Sequence, residues 1–200
     1  HQFLVVGGNR TWLPGEGASW YDRIQLEVEA FRVERQDGSM LEEKQWAYLS
    51  YEGNYQIHAM ISVENGREGY AGQEFNRDKL RLHNCMKPGG NTFFYTNVIW
   101  QDGIDYAEAR QTDILRFEGG WMQNIGRHFK FDLRLTHEIA DLGSEELYTA
   151  SLASGTFTYQ FTSRMFARAI LQHVDYDYTA ELYDDDWYDR YRTLLTQFLL

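Results

Sequence analysis

The sequence predicts an all-β fold, an antiparallel up-and-down meander of about eleven strands that forms part of a transmembrane β-barrel. Apolar and polar residues alternate with a period of two in segment after segment, as on strands with one oily and one wet face. Several of these segments exceed the usual soluble strand of about 5–6 residues and match the roughly 9–11 residues of a tilted membrane strand. Short and long connections alternate along the chain, as they do in membrane barrels.

The clearest alternation lies in His128–Thr136, where every odd-numbered residue inside the segment is apolar and every even-numbered one is polar. It predicts a strand on which Phe129, Phe131, Leu133 and Leu135 face lipid while the intervening charged residues face the lumen. The predicted strands are, in order, Phe3–Trp12, Ile24–Ala30, Glu43–Tyr51, Tyr55–Val63, Lys79–Leu82, Thr92–Trp100, Ala107–Phe117, His128–Thr136, Tyr148–Phe161, Met165–Val174 and Arg192–Leu200.

Gly, Pro and Asn mark the short connections, because these residues adopt the backbone conformations of tight turns. Within Tyr148–Phe161 the apolar phase shifts at Ser154 and Gly155, which predicts a β-bulge there. The long connections are predicted at Gln36–Glu42, Glu64–Asp78, Gln101–Tyr106, Ile139–Leu147 and Asp175–Tyr191.

The composition favours a β fold and argues against several classes of protein. Tyr, Phe and Trp make up 16% of the 200 residues, and aromatic residues favour strands. Thirty acidic residues against 19 basic ones give a net charge of -11, which argues against a nucleic-acid partner. Cys85 is the only cysteine, so no intramolecular disulfide and no Cys-rich zinc site is expected. No run of residues approaches the roughly 18 apolar residues of a membrane helix.

Residues 1–200 form one predicted domain without a linker or a low-complexity tract. The first and last segments, Phe3–Val6 and Phe198–Leu200, are apolar, whereas chain termini are usually loosely ordered. We therefore expect a piece of a longer chain, whose targeting segment lies outside it.

The polar faces of the predicted strands carry the candidate lumen-lining residues. If the sheet closes, charged residues on these faces hydrogen-bond across strands or tune the passage of solutes. The solvent face of a soluble sandwich or barrel shows the same alternation, and this alternative stays open. The candidates are Arg110, Arg116, Lys130, Asp132, Arg134, Arg168 and Gln172.

The segment Asp175–Tyr191 is rich in both carboxylates and aromatic rings. Its carboxylates could bind Ca²⁺, but their spacing differs from an EF-hand loop, and a solvated acidic loop is the preferred interpretation. Its rings fit a girdle at the membrane surface, the preferred interpretation, or a platform on which sugars stack. Tyr183, Trp187 and Tyr188 are the candidate ligand-binding residues, and neither a metal site nor a cofactor is predicted.

No catalytic motif is recognisable, and the sequence predicts a protein that is not an enzyme. Carboxylate pairs such as Glu27 and Glu29 suggest a glycosidase, because those enzymes place two carboxylates around one bond. With 30 acidic residues, however, such pairs arise by chance. The six histidines lack metal-ligand spacing, and His58 and His128 fall on polar strand faces.

Four stretches resemble one protein family in the same order along the chain. The most specific is Tyr159–Gln172, for which the family's version is roughly Tyr-Gln-Phe-Asn-x-Arg-x-Phe-x-Arg-Ala-x-x-Gln followed by Tyr. This chain departs from it at Thr162 and His173. The other stretches are Gly103–Arg110, Asn124–His128 and Leu147–Ala150. From about residue 70 onward the chain is similar to the C-terminal region of bacterial outer-membrane β-barrel proteins of unknown function that carry a carbohydrate-binding-family-9-like module near the N-terminus.

The resemblance implies an outer-membrane barrel region of a Gram-negative bacterium, with further strands and an N-terminal module outside this chain. It implies no activity and no site residues. The resulting prediction is a non-enzymatic outer-membrane channel or uptake component, with membrane lipid as partner and saccharides or their breakdown products as candidate solutes. The alternative is a soluble carbohydrate-binding β-domain that uses the loop aromatics.

Overall fold

The computed structural model of the chain describes residues 2–17, 20–36, 38–183 and 190–200. They form one antiparallel up-and-down sheet of 12 strands, which confirms the all-β meander. No helix in these ranges has the length and apolarity needed to cross a bilayer. The strands are β1 (Gln2–Trp12), β2 (Arg23–Glu34), β3 (Met40–Gly53), β4 (Ile57–Tyr70), β5 (Gln73–Asn76), β6 (Lys79–Met86), β7 (Thr92–Asp105), β8 (Arg110–Ile125), β9 (Phe129–Leu142), β10 (Glu145–Thr162), β11 (Met165–Tyr178) and β12 (Arg190–Leu199).

Each strand pairs with its neighbour in sequence, except that β6 follows β4 in the sheet and the short β5 pairs only with β4. The connections therefore lie at two ends of the sheet. We call proximal the end that carries 13–17, 20–22, 54–56, 87–91, 126–128 and 163–164. We call distal the end that carries 35–36, 38–39, 71–72, 106–109, 143–144 and 179–183.

Several predicted long loops are wrong, because the strands continue through them. Residues 101–105 belong to β7, and β9 and β10 meet at a two-residue turn, 143–144. The predicted loop Glu64–Asp78 contains the end of β4 and all of β5, a strand that the sequence did not predict. Buried apolar residues such as Ile104, Ala140 and Leu147 occur in these stretches, but they do not alternate regularly with polar residues, so the pattern that marks a half-buried strand is missing.

The bulge predicted at Ser154 and Gly155 is also wrong. The pairing of β10 with both neighbours runs in register through these residues, and its irregularities lie at 146–148 and 160–162. The apparent phase shift has another cause: Leu152 lies on the polar face of the sheet, opposite Val174. An apolar cross-strand pair on that face interrupts the pattern without interrupting the ladder.

The register divides the side chains into two faces. Phe129, Leu133 and Leu135 share one face with Ile125, Trp121 and Gly119 of β8, their partners in the ladder, and with Tyr159, Gly155 and Ala153 of β10. We call this the apolar face, and the opposite one, which carries Lys130, Asp132 and Arg134, the polar face. Following the pairs across the sheet extends both faces from β1 to β12.

The apolar face is not sealed against a second layer of protein. Leu135 is 63% exposed and Phe198 is 74% exposed, while other large side chains of this face, such as Phe131 and Leu133, are half-buried by their neighbours in the sheet. Buried apolar residues are few in the described ranges and lie mostly near the distal end. The exposed members of the apolar face include Leu4, Val6, Leu26, Val28, Leu49, Ile61, Val63, Leu82, Trp100, Phe117, Trp121, Leu171 and Leu194.

The sheet is open, and its edge strands β1 and β12 do not pair with each other in the described ranges. Both edges run from the distal to the proximal end, because β1 leads into the proximal residues 13–17 and β12 is antiparallel to β11, which ends at the distal end. The two edges are therefore parallel in direction. An all-antiparallel barrel can close over them only through an odd number of intervening strands.

Glycine is required at position 120 because an aromatic ring lies close to the backbone there, on the polar face. Its ladder partner is Tyr95, and a Cβ added at Gly120 would lie 2.1 Å from Tyr95 Cε1. The ring thus covers a strand position that has no side chain, a known device of antiparallel sheets.

We expect Gly120→Ala to destabilise the sheet by about 1–3 kcal/mol, because the new methyl displaces the ring of Tyr95. In a Tyr95→Ser background the same substitution should cost nothing and gain strand propensity. Chemical unfolding of the four proteins of this double-mutant cycle tests the coupling. An equal cost in both backgrounds would show that the ring contact is unimportant.

Candidate functional site

The seven candidate lumen-lining residues all lie on the polar face. Arg110 and Arg116 project there from β8, and Lys130, Asp132 and Arg134 project there from β9. Arg168 and Gln172 of β11 reach the same face through the β10 register, where their partners are Thr158 and Ser154. The alternation therefore grouped these residues correctly, although their exposure to a lumen stays a prediction.

The central part of the polar face is held by a carboxylate with two partners. Glu138 accepts a charge-assisted hydrogen bond from Nε of Arg116 and a second one from the hydroxyl of Tyr148 at 2.6 Å. Glu118 lies 4.0 Å from the Arg116 guanidinium and extends the group toward β7. Because hydrogen bonds to charged groups are the stronger ones, this group ties β8, β9 and β10 together.

A buried amide forms the next hub along the polar face. Asn97 of β7 is 5% exposed, and its carbonyl oxygen accepts hydrogen bonds from Arg81 at 3.1 and 3.3 Å. The same oxygen lies 2.7 Å from Nδ1 of His83, while the Asn97 amide donates to Glu118 at 2.9 Å. Both the carbonyl oxygen and the amide nitrogen of Asn97 thus have partners among other polar side chains, as expected for a buried polar group.

The ladder of polar contacts continues through β2 to β4. Glu27 accepts hydrogen bonds from the Tyr48 hydroxyl at 2.8 Å and from Gln25 at 3.1 Å. Lys44 lies 3.1 Å from Glu64, on the next strand. Glu27, one half of the carboxylate pair that suggested a glycosidase, is thus engaged in structural hydrogen bonds on the sheet.

A cluster of tyrosines occupies the distal end of the polar face. The segment after β11 folds across this end, where Thr179 bonds to the backbone of β10 and the ring of Tyr183 lies 5.2 Å from the Arg110 guanidinium. Arg110 also pairs with Asp105 at 2.9 Å, and its Nη2 is buried without a hydrogen-bond partner among the described residues. Burial, followed by the charge of Asp105, raises the pKa of Tyr183.

Three more tyrosines complete this distal tyrosine cluster. The ring of Tyr178 lies 5.8 Å from Tyr148, 5.9 Å from Tyr176 and 6.4 Å from Tyr183. Tyr176 and Tyr178 project from the polar face rather than from the apolar one, so these two rings do not take part in the predicted girdle. Trp187 and Tyr188, the other two candidate ligand-binding residues, lie outside the described residues.

A second aromatic pair stands at the distal end beside the β4–β5 hairpin. Tyr70 and Tyr106 contact edge to face at 4.9 Å, and the Tyr106 hydroxyl donates to Glu68 at 3.3 Å. Burial, with the adjacent charge of Glu68, raises the pKa of Tyr106. The two clusters place phenol rings on both sides of the distal end of the polar face.

The apolar face has an aromatic belt of its own, at the proximal end. Trp121 stacks on Phe94 at 5.8 Å and contacts Phe131 edge to face at 4.7 Å, and Tyr159 contacts Phe161 at 4.9 Å. The sequence prediction placed the girdle at the other end, in the acidic loop. The rings of the belt are scattered along the sequence, and only the pairing of the strands shows that they share one face. Further members of the belt are Trp12, Tyr51 and Phe129.

The acidic segment shows no calcium site in its described part. Both carboxylate oxygens of Asp175 are engaged by Arg190 at 3.0–3.1 Å, and Arg192 adds a contact at 2.7 Å. Residues 184–189, which hold most of the remaining carboxylates, lie outside the described ranges.

Three metal-ligating side chains that the sequence prediction set aside come together on the polar face. Ligand atoms of His58, His83 and Cys85 all lie within 4.8 Å of one another. Their spacing in sequence is unlike any common motif, because two strands contribute to the group. Only the pairing of β4 with β6 reveals it.

Comparison with models of protein families, with curated proteins and with solved structures finds no match for this chain. The resemblance to outer-membrane barrel proteins with a carbohydrate-binding-family-9-like module therefore stays a prediction.

Proposed function

We propose that this chain forms part of the wall of a bacterial outer-membrane β-barrel, a non-enzymatic channel or uptake component. Its apolar face meets lipid and its polar face lines an aqueous interior. The observation that carries the proposal is the exposed apolar band, which crosses the whole sheet without a second protein layer over it. Soluble monomers rarely expose such an area to water.

The height of the band fits a bilayer. On β8 the apolar face runs from Ile125 to Leu115, with Gln123 as the one strongly polar side chain between them. Ten residue steps span about 33 Å along a strand. A tilt of about 40° reduces this to about 25 Å, which is the apolar height of outer-membrane barrels.

Charges on the apolar face begin where the band ends. Asp102, Asp113 and Asp141 stand side by side in one row across β7, β8 and β9 at the distal end of the band. Arg32 pairs with Glu43 at 2.8 Å at the same end of β2 and β3. These positions match the headgroup level of a membrane, where carboxylates and guanidinium groups are hydrated.

Arg10 is the charged residue within the described part of the band, and its position explains how it is tolerated. It lies two residues from the proximal end of the edge strand β1, and its guanidinium group stands 5.3 Å from the ring centre of Trp12. A long cationic side chain this close to the interface can place its charge among the headgroups, next to an interfacial ring.

The proposed orientation puts the proximal end in the periplasm. Turn lengths are similar at the two ends, but at the distal end strands such as β4 and β7 continue beyond the apolar band, through residues 64–70 and 101–105. Outer-membrane barrels carry their longer segments on the outside. The aromatic belt of the apolar face then lies at the periplasmic interface. The open edges imply that further strands, odd in number, complete the barrel.

The solute class that we propose is saccharides. The distal tyrosine cluster would present phenol rings at the outer entrance. Flat rings can cover the apolar faces of sugars, and phenol hydroxyls can hydrogen-bond to sugar hydroxyls.

Dependence on an amphiphile tests the membrane assignment. The complete barrel protein that contains these strands should be monodisperse in a mild detergent, and it should aggregate when the detergent is removed. It should also insert into preformed phospholipid vesicles with a blue shift of its tryptophan fluorescence. A chain that stays folded and monodisperse in plain buffer would overturn the membrane assignment and favour the soluble carbohydrate-binding domain. Conductance across planar bilayers then tests the pore, and an inserted but silent protein would count against a channel.

A further inference from the structure

The group formed by His58, His83 and Cys85 is built like the ligand set of a transition-metal site. His58 is the ladder partner of Cys85, and His83 is two residues before Cys85 on the same face of β6. The two imidazole rings lie 5.4 Å apart, and all three side chains are half-buried. Two imidazoles and one thiolate are ligands that zinc and copper bind well, whereas calcium and magnesium require oxygen.

The ligand atoms need to move only slightly to share one ion. Bond lengths of about 2.0–2.1 Å to nitrogen and 2.3 Å to sulfur place tetrahedral ligand atoms about 3.3–3.6 Å apart. In the structure the three ligand atoms lie at most 4.8 Å from one another, so side-chain rotations that move these atoms by roughly an ångström suffice. The backbone positions are fixed by the β4–β6 ladder, which runs without irregularity from His58 to Glu64.

One of the histidines is already oriented for metal binding. Nδ1 of His83 lies 2.7 Å from the carbonyl oxygen of the buried Asn97, an acceptor that Arg81 also contacts. Because that oxygen can only accept, Nδ1 is the donor in this contact, and Nε2 is the ring nitrogen left to bind an ion. Metal-bound histidines characteristically donate their second ring nitrogen to such a partner.

A thioether stands at the fourth corner of the same patch. Met60 is the ladder partner of His83, and it follows His58 by two residues on the polar face of β4. Thioether sulfur is a ligand for soft ions such as Cu⁺ and is rarely used by Zn²⁺. The presence of Met60 beside the site therefore affects which ion is preferred.

We propose that His58, His83 and Cys85 bind one borderline or soft transition-metal ion on the polar face of the sheet, between β4 and β6. The thiol of Cys85 binds as the thiolate, so its proton is released to solvent when the ion enters. The ion keeps an open position toward the interior, which Met60 occupies if the ion is Cu⁺ and water occupies if it is Zn²⁺.

Zn²⁺ and Co²⁺ serve as probes of the refolded, reduced full chain in detergent. We expect one Zn²⁺ per chain, with proton release, and a thiolate-to-metal charge-transfer band when Co²⁺ replaces it. Cys85 is the only thiol, so saturating Zn²⁺ should slow its alkylation by at least about 10-fold. An unchanged alkylation rate would overturn the proposal, and this readout requires no variant that might fail to fold.

Variants assign the ligands. Cys85→Ser, His83→Gln and His58→Gln should each weaken Zn²⁺ binding by at least about 100-fold. His137→Gln is the matched control. His137 lies on the apolar face, away from the site, so this variant should bind Zn²⁺ like the parent protein. Full binding by Cys85→Ser would contradict the site. Tighter binding of Cu⁺ than of Zn²⁺, lost in Met60→Leu, would assign the site to copper, and equal Cu⁺ binding with and without Met60 would assign it to zinc.

Discussion

Leu135→Arg should lower the free energy of unfolding in phospholipid vesicles by about 2–4 kcal/mol, the cost of a cation near the midplane on the lipid face of a barrel. Leu135 is 63% exposed and projects from the apolar face of β9, near the middle of the band, with Gly119 and Ala153 as ladder partners. In water the same substitution at so exposed a leucine would change stability by less than about 0.5 kcal/mol. The size of the effect therefore reports which medium touches this face.

Thr136→Arg is the matched control for this experiment. Thr136 is the next residue on β9 at the same depth, but it projects from the polar face opposite Glu118, which would partner the new cation. We expect this variant to unfold within about 0.5 kcal/mol of the parent. Denaturant titrations followed by tryptophan fluorescence compare the three proteins in the same vesicles. Equal and small effects at both positions would contradict a lipid-facing band.

Glu138→Ala should destabilise the sheet by about 2–3 kcal/mol, the second largest effect that we expect. The Glu138 side chain is 13% exposed and receives hydrogen bonds from Arg116 and from the Tyr148 hydroxyl. Its removal leaves both donors without their acceptor in a half-buried environment, which costs more than the pair itself contributes. Arg116 is 34% exposed and retains Glu118 at 4.0 Å, so the loss stays below that of a fully buried pair.

Two further variants separate the contributions within this group. Tyr148→Phe removes one hydrogen bond and leaves the Arg116–Glu138 pair, so it should cost about 1 kcal/mol. Glu138→Gln keeps an acceptor for Tyr148 but removes the charge, and its effect should lie between the other two. Urea unfolding in detergent micelles measures all three differences. An effect of Glu138→Ala no larger than that of Tyr148→Phe would show that Arg116 does not depend on this carboxylate.

The fold class and the assignment of faces could be predicted because the apolar face is exposed to one kind of medium over its whole height. Within His128–Thr136 each residue reports its face directly, and the ladder confirms the division into two rows. The same logic grouped Arg110, Arg116 and Arg168 on one surface before their neighbours were known. A period of two is a local property, so no information about distant strands was needed.

The distal parts of the strands were not predicted for the same physical reason. Residues such as Asp102 and Asp141 lie beyond the apolar band, where polar and apolar residues no longer alternate regularly although the strand continues. Groups of side chains that come together from different strands could not be predicted from the sequence either. The approach of His58 to Cys85 depends on the β4–β6 register, and the enclosure of Arg110 by Tyr183 depends on a segment that folds across four strands.

The distal parts of β3 and β4 project together above the band, and β4 continues there into β5. Seven residues of β4, Glu64–Tyr70, continue beyond Val63, the last apolar residue of this strand in the band. At about 3.3 Å per residue and a tilt of about 40°, they rise about 18 Å. In the proposed outer-membrane wall, the hairpin of β4 and β5 would therefore face the lipopolysaccharide sugars of the cell surface, as a landmark for antibodies and bacteriophages. An epitope tag inserted at its tip, between Ala71 and Gly72, would then be displayed to the surroundings.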